Sequence, residues 1–239
     1  MKKHLFFIAA FFVFTSLKAQ TFKQNYTWDT TVISAFHQGN NEDYNCASIA
    51  IIKCAIATFG INDVFKKIQS NEKGFEVTLR NNEIISITKQ ELDSATKKSG
   101  FIKDDNQLIF NKANFIYAIM AKRAVTFSDD DYTFAKCDNF DNALDVLHDG
   151  FNVQCLPILI GMAGVKVKAK SKLSYVHANG YHAVFASKTV FDNYGSPDEL
   201  NFANWKRHLG KNPILDIESI NFILVDRIQE EKLQKLFTF

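Results

Sequence analysis

A cysteine, a histidine and a polar side chain stand where they could form one catalytic group. Cys46 opens a long apolar stretch, and His182 lies in a later segment rich in strand-forming residues. Asp192 and Asn193 follow shortly after that histidine. Cysteine catalysis needs a thiolate, a histidine within hydrogen-bond reach and a third group that orients the histidine. These residues therefore indicate nucleophilic attack by a thiol on a carbonyl carbon.

The stretch that carries the cysteine predicts a buried central helix. Residues 45–60 are apolar on nearly every side, and only Ser48, Lys53 and Thr58 break the pattern. A helix that is apolar all round belongs inside a globular core. Gly60 can take the left-handed conformation that ends a helix.

The start of this helix predicts a reactive thiol. Asn45 is a suitable N-cap, because its side chain can accept a hydrogen bond from a first-turn amide. Cys46 then lies where free N–H groups and the macrodipole favour negative charge, so its thiolate should be stabilised. Glu42 and Asp43 are nearby and would raise the pKa of the thiol unless they point to water.

The third catalytic group stays open between two residues. His182 lies on a predicted strand, and the chain returns on a second strand after a turn at 187–188. A two-residue turn would place position 182 opposite Asn193. A three-residue turn would bring Asp192 to the same side as His182.

The chain reads as helices first and strands second, which favours an α+β domain with helices packed on an antiparallel sheet. The helical half covers about 46–149 and the strand half about 150–239. We expect an extended lead-in at 20–36. A capping box at Thr88 and Glu91 predicts a helix at 88–98, and further helices are expected at 61–69, 112–123, 138–148 and 229–237. Strands are expected at 75–79, 83–87, 151–160, 181–186, 189–191 and 219–228.

Composition favours one folded domain over 20–239. The chain has 239 residues and is 46% hydrophobic, enough to bury a substantial core. The formal net charge is +2, with both signs spread along the chain, and no basic block argues for a nucleic-acid partner.

The first residues predict a signal peptide over 1–19. A basic start precedes an apolar run from Leu5 to Leu17, which is too short to span a bilayer, and Ala19 offers a cleavage point. No later run is apolar enough to span a membrane. We expect a secreted or periplasmic protein that is not an integral membrane protein after signal removal.

No cofactor or metal is expected. His177, His182 and Cys155 fit no standard zinc spacing. The three aspartates at 129–131 lack the glycine and the terminal glutamate of an EF-hand loop.

The remaining cysteines have other expected roles. Cys54 lies within the apolar helix and is expected to be a buried small hydrophobe. Cys137 and Cys155 could form a disulfide in an exported protein, although connectivity does not follow from sequence.

Taken together, these motifs resemble the papain-like cysteine peptidases. The shared order is Gln38-Gly39, then Cys46 opening a buried helix, then a strand with His182-Ala183, then the run from Asp192 to Gly195. The surroundings of Gln38 and His182 are most similar to the calpain-like branch. Gln38 lies farther ahead of the cysteine than in relatives, and Ala47 follows the cysteine where glycine or tryptophan is common.

The resemblance implies a papain-like fold and a role for each residue. Cys46 would be the nucleophile, and His182 the general base and then acid. Asp192 would orient the imidazole, with Asn193 as the alternative. The Gln38 amide would join the Cys46 backbone N–H in an oxyanion hole. The substrate would be a protein or peptide.

Two other functions fit the same residues. Transglutaminase-like enzymes and cell-wall amidases also use cysteine, histidine and a polar third group, and the acceptor is not visible in the sequence. The second alternative is a non-catalytic binding protein that retains the fold.

Overall fold

A computed structural model describes residues 26–39, 44–126, 137–150, 152–168, 172–179, 182–187, 189–200 and 219–227. They combine helices with antiparallel sheets, which confirms the α+β class. The described α-helices are α1 (Tyr26–Ile33), α2 (Cys46–Phe59), α3 (Lys89–Lys98), α4 (Gln107–Thr126) and α5 (Phe140–His148). The strands are β1 (Phe36–Gln38), β2 (Lys67–Ser70), β3 (Gly74–Thr78), β4 (Ile84–Thr88), β5 (Phe101–Lys103), β6 (Met162–Lys166), β7 (Tyr175–Ala178), β8 (Ala183–Ala186), β9 (Val190–Asn193), β10 (Ser196–Glu199) and β11 (Ile220–Asp226).

Helix α2 is the buried centre of the molecule. It packs against β8 of the largest sheet on one side and against α1 and α4 on others. Its apolar residues are almost wholly shielded from solvent, and Gly60 ends it with a φ of 87°. The central helix predicted for 45–60 is therefore confirmed, and Cys46 is its first residue.

The sheet behind α2 has six antiparallel strands in the order β10-β9-β8-β7-β11-β6. Strand β8 alternates its faces, as a strand with a period of two must. Ala183 and Phe185 join the core that contains α2, whereas Val184 and Ala186 join a smaller cluster on the opposite face. The sheet therefore presents the residues at the start of β8 to the beginning of α2.

The turn between β8 and β9 is formed one residue later than predicted. Ala186 pairs with Phe191, and the Ser187 N–H donates to the Val190 carbonyl at 2.8 Å. Both registers considered from the sequence were therefore wrong, because neither a two-residue nor a three-residue turn places Ala186 opposite Phe191.

The helical half carries its own three-stranded sheet, in the order β2-β3-β4. The hairpin predicted at 75–79 and 83–87 is confirmed to within one residue by β3 and β4. The capping box before α3 is also confirmed: the Thr88 hydroxyl accepts from the Glu91 N–H, and the Glu91 carboxylate accepts from the Thr88 N–H. Helices predicted at 112–123 and 138–148 correspond to α4 and α5, although α4 extends farther in both directions.

Three local predictions were wrong. Residues 61–66 form turns, and 67–70 form β2, because this segment pairs along its length with β3 instead of closing a helical turn. Residues 26–33 of the predicted extended lead-in form α1. A short 3-10 helix, Leu156–Ile160, replaces the second half of the strand predicted at 151–160, with Pro157 near its start. An apolar run alone does not separate a strand from a buried helical turn.

Several predictions fall outside the described residues. These include the signal peptide at 1–19, the loop residues Glu42 and Asp43, the aspartates at 129–131 and the closing helix at 229–237. Within the ranges that are described, no helix is long and apolar enough to cross a membrane.

Candidate active site

A small cleft opens at the first turn of α2. Gln38, Cys46, His182 and Asp192 all line this cleft. They come from the end of β1, the start of α2, the residue before β8 and the body of β9. Chain segments that are far apart in sequence thus bring these four predicted residues to one place.

Cys46 is partly buried at the start of α2. Burial raises the pKa of its thiol above the ordinary value, and hydrogen bonds with the backbone of Ala183 and Ala47 offset this only in part. The lowered pKa expected from the helix terminus was therefore wrong, because desolvation outweighs the local dipoles. The resting cysteine carries a neutral thiol in contact with the residue that follows His182.

Asn45 does not cap the helix as predicted. Its backbone, with φ −79° and ψ 12°, lacks the extended conformation of an N-cap, and its side chain makes no capping bond. The Asn45 amide instead donates to the Ser99 carbonyl at 2.7 Å. The first turn of α2 is thereby tied to the end of α3.

His182 is held by both its backbone and its ring. Its N–H donates to the Asn179 side chain at 3.1 Å, and its carbonyl accepts from the Asn179 N–H at 3.1 Å. The imidazole stacks on Tyr194 with 5.2 Å between ring centroids and an interplanar angle of 21°. Burial lowers the pKa of His182, and the charge of Asp192 partly opposes this. The imidazole is therefore neutral near neutral pH, and it lines the same cleft as the neutral thiol of Cys46.

Asp192 has both carboxylate oxygens engaged elsewhere. Oδ2 accepts from Lys53 Nζ at 2.7 Å, and Oδ1 accepts from the Gly195 N–H at 2.8 Å. Among the described residues, no hydrogen bond joins it to the His182 ring. Asp192 therefore acts on the His182 ring through its charge. It also holds the Tyr194-Gly195 corner in place through its bond with the Gly195 N–H.

Lys53 was noted in the sequence only as a break in the apolar pattern. It lies about two helical turns after Cys46 and is wholly buried. Its ammonium also donates to the Ile33 carbonyl at 2.8 Å and lies 4.8 Å from the Phe36 ring centroid. Burial lowers the pKa of Lys53, and Asp192 opposes that shift. A lone lysine in an apolar helix was the signal that a buried counter-charge existed.

The corner after β9 places Tyr194 over the histidine. Tyr194 and Gly195 both have positive φ, 51° and 87°, and they form the tight connection to β10. Extending the β8–β9 register from Ala186 and Phe191 aligns position 182 with 195. The corner residues, not Asn193, therefore come next to His182.

The other two predicted residues differ in position. Asn193 donates from its amide to the Asp198 carboxylate at 2.8 Å, a contact within the β9–β10 hairpin, and it does not line the cleft. Gln38 lines the cleft, and its backbone position is set by pairing of β1 with β5 opposite Phe101.

A second histidine of the cleft escaped the sequence analysis. His37 lines the cleft, and its Nδ1 lies 2.6 Å from the Asp104 carboxylate. The two side chains are 27% and 31% exposed. Pairing of β1 with β5 sets His37 opposite Ile102 and delivers Asp104 just beyond the strand end. Only the position of His37 next to Gln38 could have indicated it.

The four cysteines are free thiols. The disulfide considered between Cys137 and Cys155 is therefore not formed. Cys54 is buried as predicted, and burial raises the pKa of its thiol to about 12. Within the described part of the chain, no group of three or more His, Cys, Asp or Glu residues is placed to hold a metal ion.

Comparison of the chain with protein-family models, with curated proteins and with solved structures finds no match. Any functional assignment must therefore come from the fold and the chemistry of the cleft. These define an α+β protein with a cysteine and two histidines facing one cavity at the end of a buried helix.

Proposed function

We propose that this protein is an exported cysteine hydrolase of papain-like architecture that cleaves peptide bonds. The observation that carries the proposal is the shared cleft of Cys46 and His182. The cysteine begins a buried helix, and the histidine immediately precedes β8 of the antiparallel sheet packed on that helix. This arrangement supports the resemblance found in the sequence motifs. Export rests on the signal peptide predicted at 1–19.

The proposed reaction begins from a neutral thiol and a neutral imidazole. His182 takes the thiol proton as the Cys46 sulfur attacks the amide carbonyl carbon. The Cys46 backbone N–H and the Gln38 side-chain amide donate to the developing oxyanion. His182 then gives its proton to the amine nitrogen as the C–N bond breaks. A thioester remains on the cysteine, and water hydrolyses it to regenerate the thiol.

Asp192 assists this reaction without a direct bond to the imidazole. Its negative charge favours the imidazolium that forms during attack, because it opposes the lowering of the His182 pKa by burial. Lys53 balances the buried carboxylate and fixes its position. Asn193 has no part in this mechanism, since its amide is bonded within the neighbouring hairpin.

The proposal is tested with a mixture of peptides of varied sequence, whose cleavage is followed by mass spectrometry. Wild type and Cys54→Ala are expected to cleave the same peptides, since the Cys54 thiol is buried away from the cleft. Cys46→Ala should cleave none. Equal cleavage by Cys46→Ala and wild type would contradict the proposal, and no cleavage by any of the three would favour a non-catalytic binding protein.

The same experiment distinguishes hydrolysis from acyl transfer. A small primary amine is added to the peptide mixture, and products are examined for its incorporation. Hydrolysis predicts free carboxylates at new peptide ends. Amine incorporated at glutamine side chains, without chain cleavage and lost in Cys46→Ala, would instead assign a transglutaminase-like reaction to this site.

A further inference from the structure

The cleft contains a second histidine with a direct carboxylate partner. His37 Nδ1 lies 2.6 Å from Asp104 Oδ2, whereas the His182 ring has no such bond within the described residues. The His37 ring lines the same cleft as Cys46 and is 27% exposed, so bulk water can reach it. The proposed peptide-cleaving reaction gives no role to this pair.

The carboxylate determines which ring nitrogen can accept a proton. A carboxylate accepts the Nδ1–H of a neutral imidazole, which leaves Nε2 with its lone pair. His37 Nε2 makes no hydrogen bond among the described residues. A histidine whose Nε2 carries a free lone pair is suited to remove a proton from a molecule that enters the cleft.

Close packing at the Tyr194-Gly195 corner fixes His37 and Asp104 in relation to His182. Gly195 follows Tyr194, the residue stacked on His182, and its φ is 87°. A Cβ at Gly195 would lie 2.8 Å from the Cβ of His37 and 3.2 Å from Asp104 Oδ2. The two histidines thus flank one corner, and all of these residues except Asp104 line the cleft.

We propose that His37, oriented by Asp104, is the base that activates water in the second half of the reaction. This inference rests on the proposed function, because it needs a thioester on Cys46. The water oxygen bonds to the thioester carbonyl carbon while His37 Nε2 takes one water proton. The C–S bond breaks, which releases the carboxylic acid and leaves the Cys46 thiolate. The proton then passes from His37 to the thiolate through solvent. Asp104 is a positioning residue, and His182 acts in the first half.

The test uses p-nitrophenyl acetate, an activated ester that acetylates thiols. Release of p-nitrophenolate in a fast first phase measures acetylation of Cys46, and the later steady phase measures hydrolysis of the thioester. His37→Gln and Asp104→Asn are compared with His148→Gln. His148 is a matched control, because it is part-buried, its Nδ1 lies 3.2 Å from the Asp149 carboxylate, and it does not line the cleft.

The inference predicts that His37→Gln keeps the first phase and slows the steady phase by about 100-fold, the usual contribution of a general base. Asp104→Asn should slow the steady phase in the same selective way, and acetyl-Cys46 should accumulate in both variants by mass spectrometry. His148→Gln should match wild type in both phases.

Other results would overturn the inference. An unchanged steady phase in His37→Gln would leave the proposed function standing and remove His37 from it. An equal fall in both phases would indicate a structural role only. Absence of acetyl-Cys46 in wild type, with no fast phase, would overturn the proposed function together with this inference.

Discussion

Two histidines line this cleft, and the aspartate associated with each is held in a different way. Asp192 is buried, and both its oxygens are occupied by Lys53 and the Gly195 N–H. Asp104 is about one-third exposed and is bonded directly to His37. The aspartate that sequence order assigns to the catalytic histidine is thus the one that does not touch a histidine.

Burial explains the difference. A carboxylate removed from water needs a cationic partner and further hydrogen bonds, and Asp192 obtains both from residues outside the imidazole. A carboxylate that is about one-third exposed keeps part of its hydration, so Asp104 can give one oxygen to His37 without a buried cation. Residue type alone therefore does not reveal which carboxylate orients which ring.

The largest expected effect on stability is at the buried ion pair of Lys53 and Asp192. Lys53→Met leaves the Asp192 charge without its partner inside the core, and should lower the free energy of unfolding by about 3–5 kcal/mol. Chemical denaturation measures this change. Lys53→Met combined with Asp192→Leu should recover much of the loss, since no lone charge remains. Asp104→Asn, at the exposed pair, should cost about 1 kcal/mol or less. Equal losses of unfolding free energy in Lys53→Met and Asp104→Asn would show that burial does not distinguish Asp192 from Asp104.

The corner that the two pairs share should be the next most sensitive position. Gly195→Ala forces a side chain into a left-handed conformation, φ 87°, at a cost of about 1–2 kcal/mol. The new Cβ would also lie 2.8 Å from that of His37. Both phases of p-nitrophenyl acetate turnover should slow, in contrast to the selective effect of His37→Gln. A variant with wild-type stability and kinetics would show that the corner does not position either histidine.

The pH dependence of stability should report on the half-buried His182. The folded pKa of His182 lies below its ordinary value of 6.5, so the unfolded chain binds the extra proton first. This group therefore favours unfolding as pH falls below 6.5, by less than about 1.4 kcal/mol per pH unit. His182→Gln should reduce the loss of stability between neutral and mildly acid pH. Identical acid profiles for the two proteins would mean that the imidazole is not buried.

The smallest effect is expected at the ring that covers His182. The stack of Tyr194 on the imidazole should contribute about 0.5–1.5 kcal/mol to its position. Tyr194→Ala should slow the acetylation phase by up to about tenfold, whereas Tyr194→Phe keeps the stacked ring and should match wild type. A slow Tyr194→Phe variant would instead point to the hydroxyl group.

Local patterns predicted α2, which carries Cys46, and the start of α3, to which α2 is tied. The apolar stretch at 45–60 specified α2, and the pair Thr88 and Glu91 specified the start of α3, because both signals act within a few residues. The segment at 61–69 was harder, since β2 exists only through its pairing with β3.

The sequence could not predict the long-range contacts that distinguish Asp192 from Asp104. Lys53 and Asp192 are 139 residues apart, and His37 and Asp104 are 67 residues apart. Their meeting depends on sheet pairing and on a turn that is formed one residue later than expected. Burial raises the pKa of Cys46, and the residue pattern at the helix start does not show how deeply the thiol is buried.

The central claim is that Cys46 is a nucleophile whose attack depends on His182. The most direct measurement is the rate at which p-nitrophenyl acetate acetylates Cys46 near neutral pH, located by peptide mapping, in wild type and in His182→Ala. The account predicts rapid acetylation of Cys46 in wild type and a rate lower by about 100-fold in the variant, because a neutral thiol needs the histidine to take its proton. Equal rates in the two proteins, or no acetylation of Cys46 in either, would contradict it.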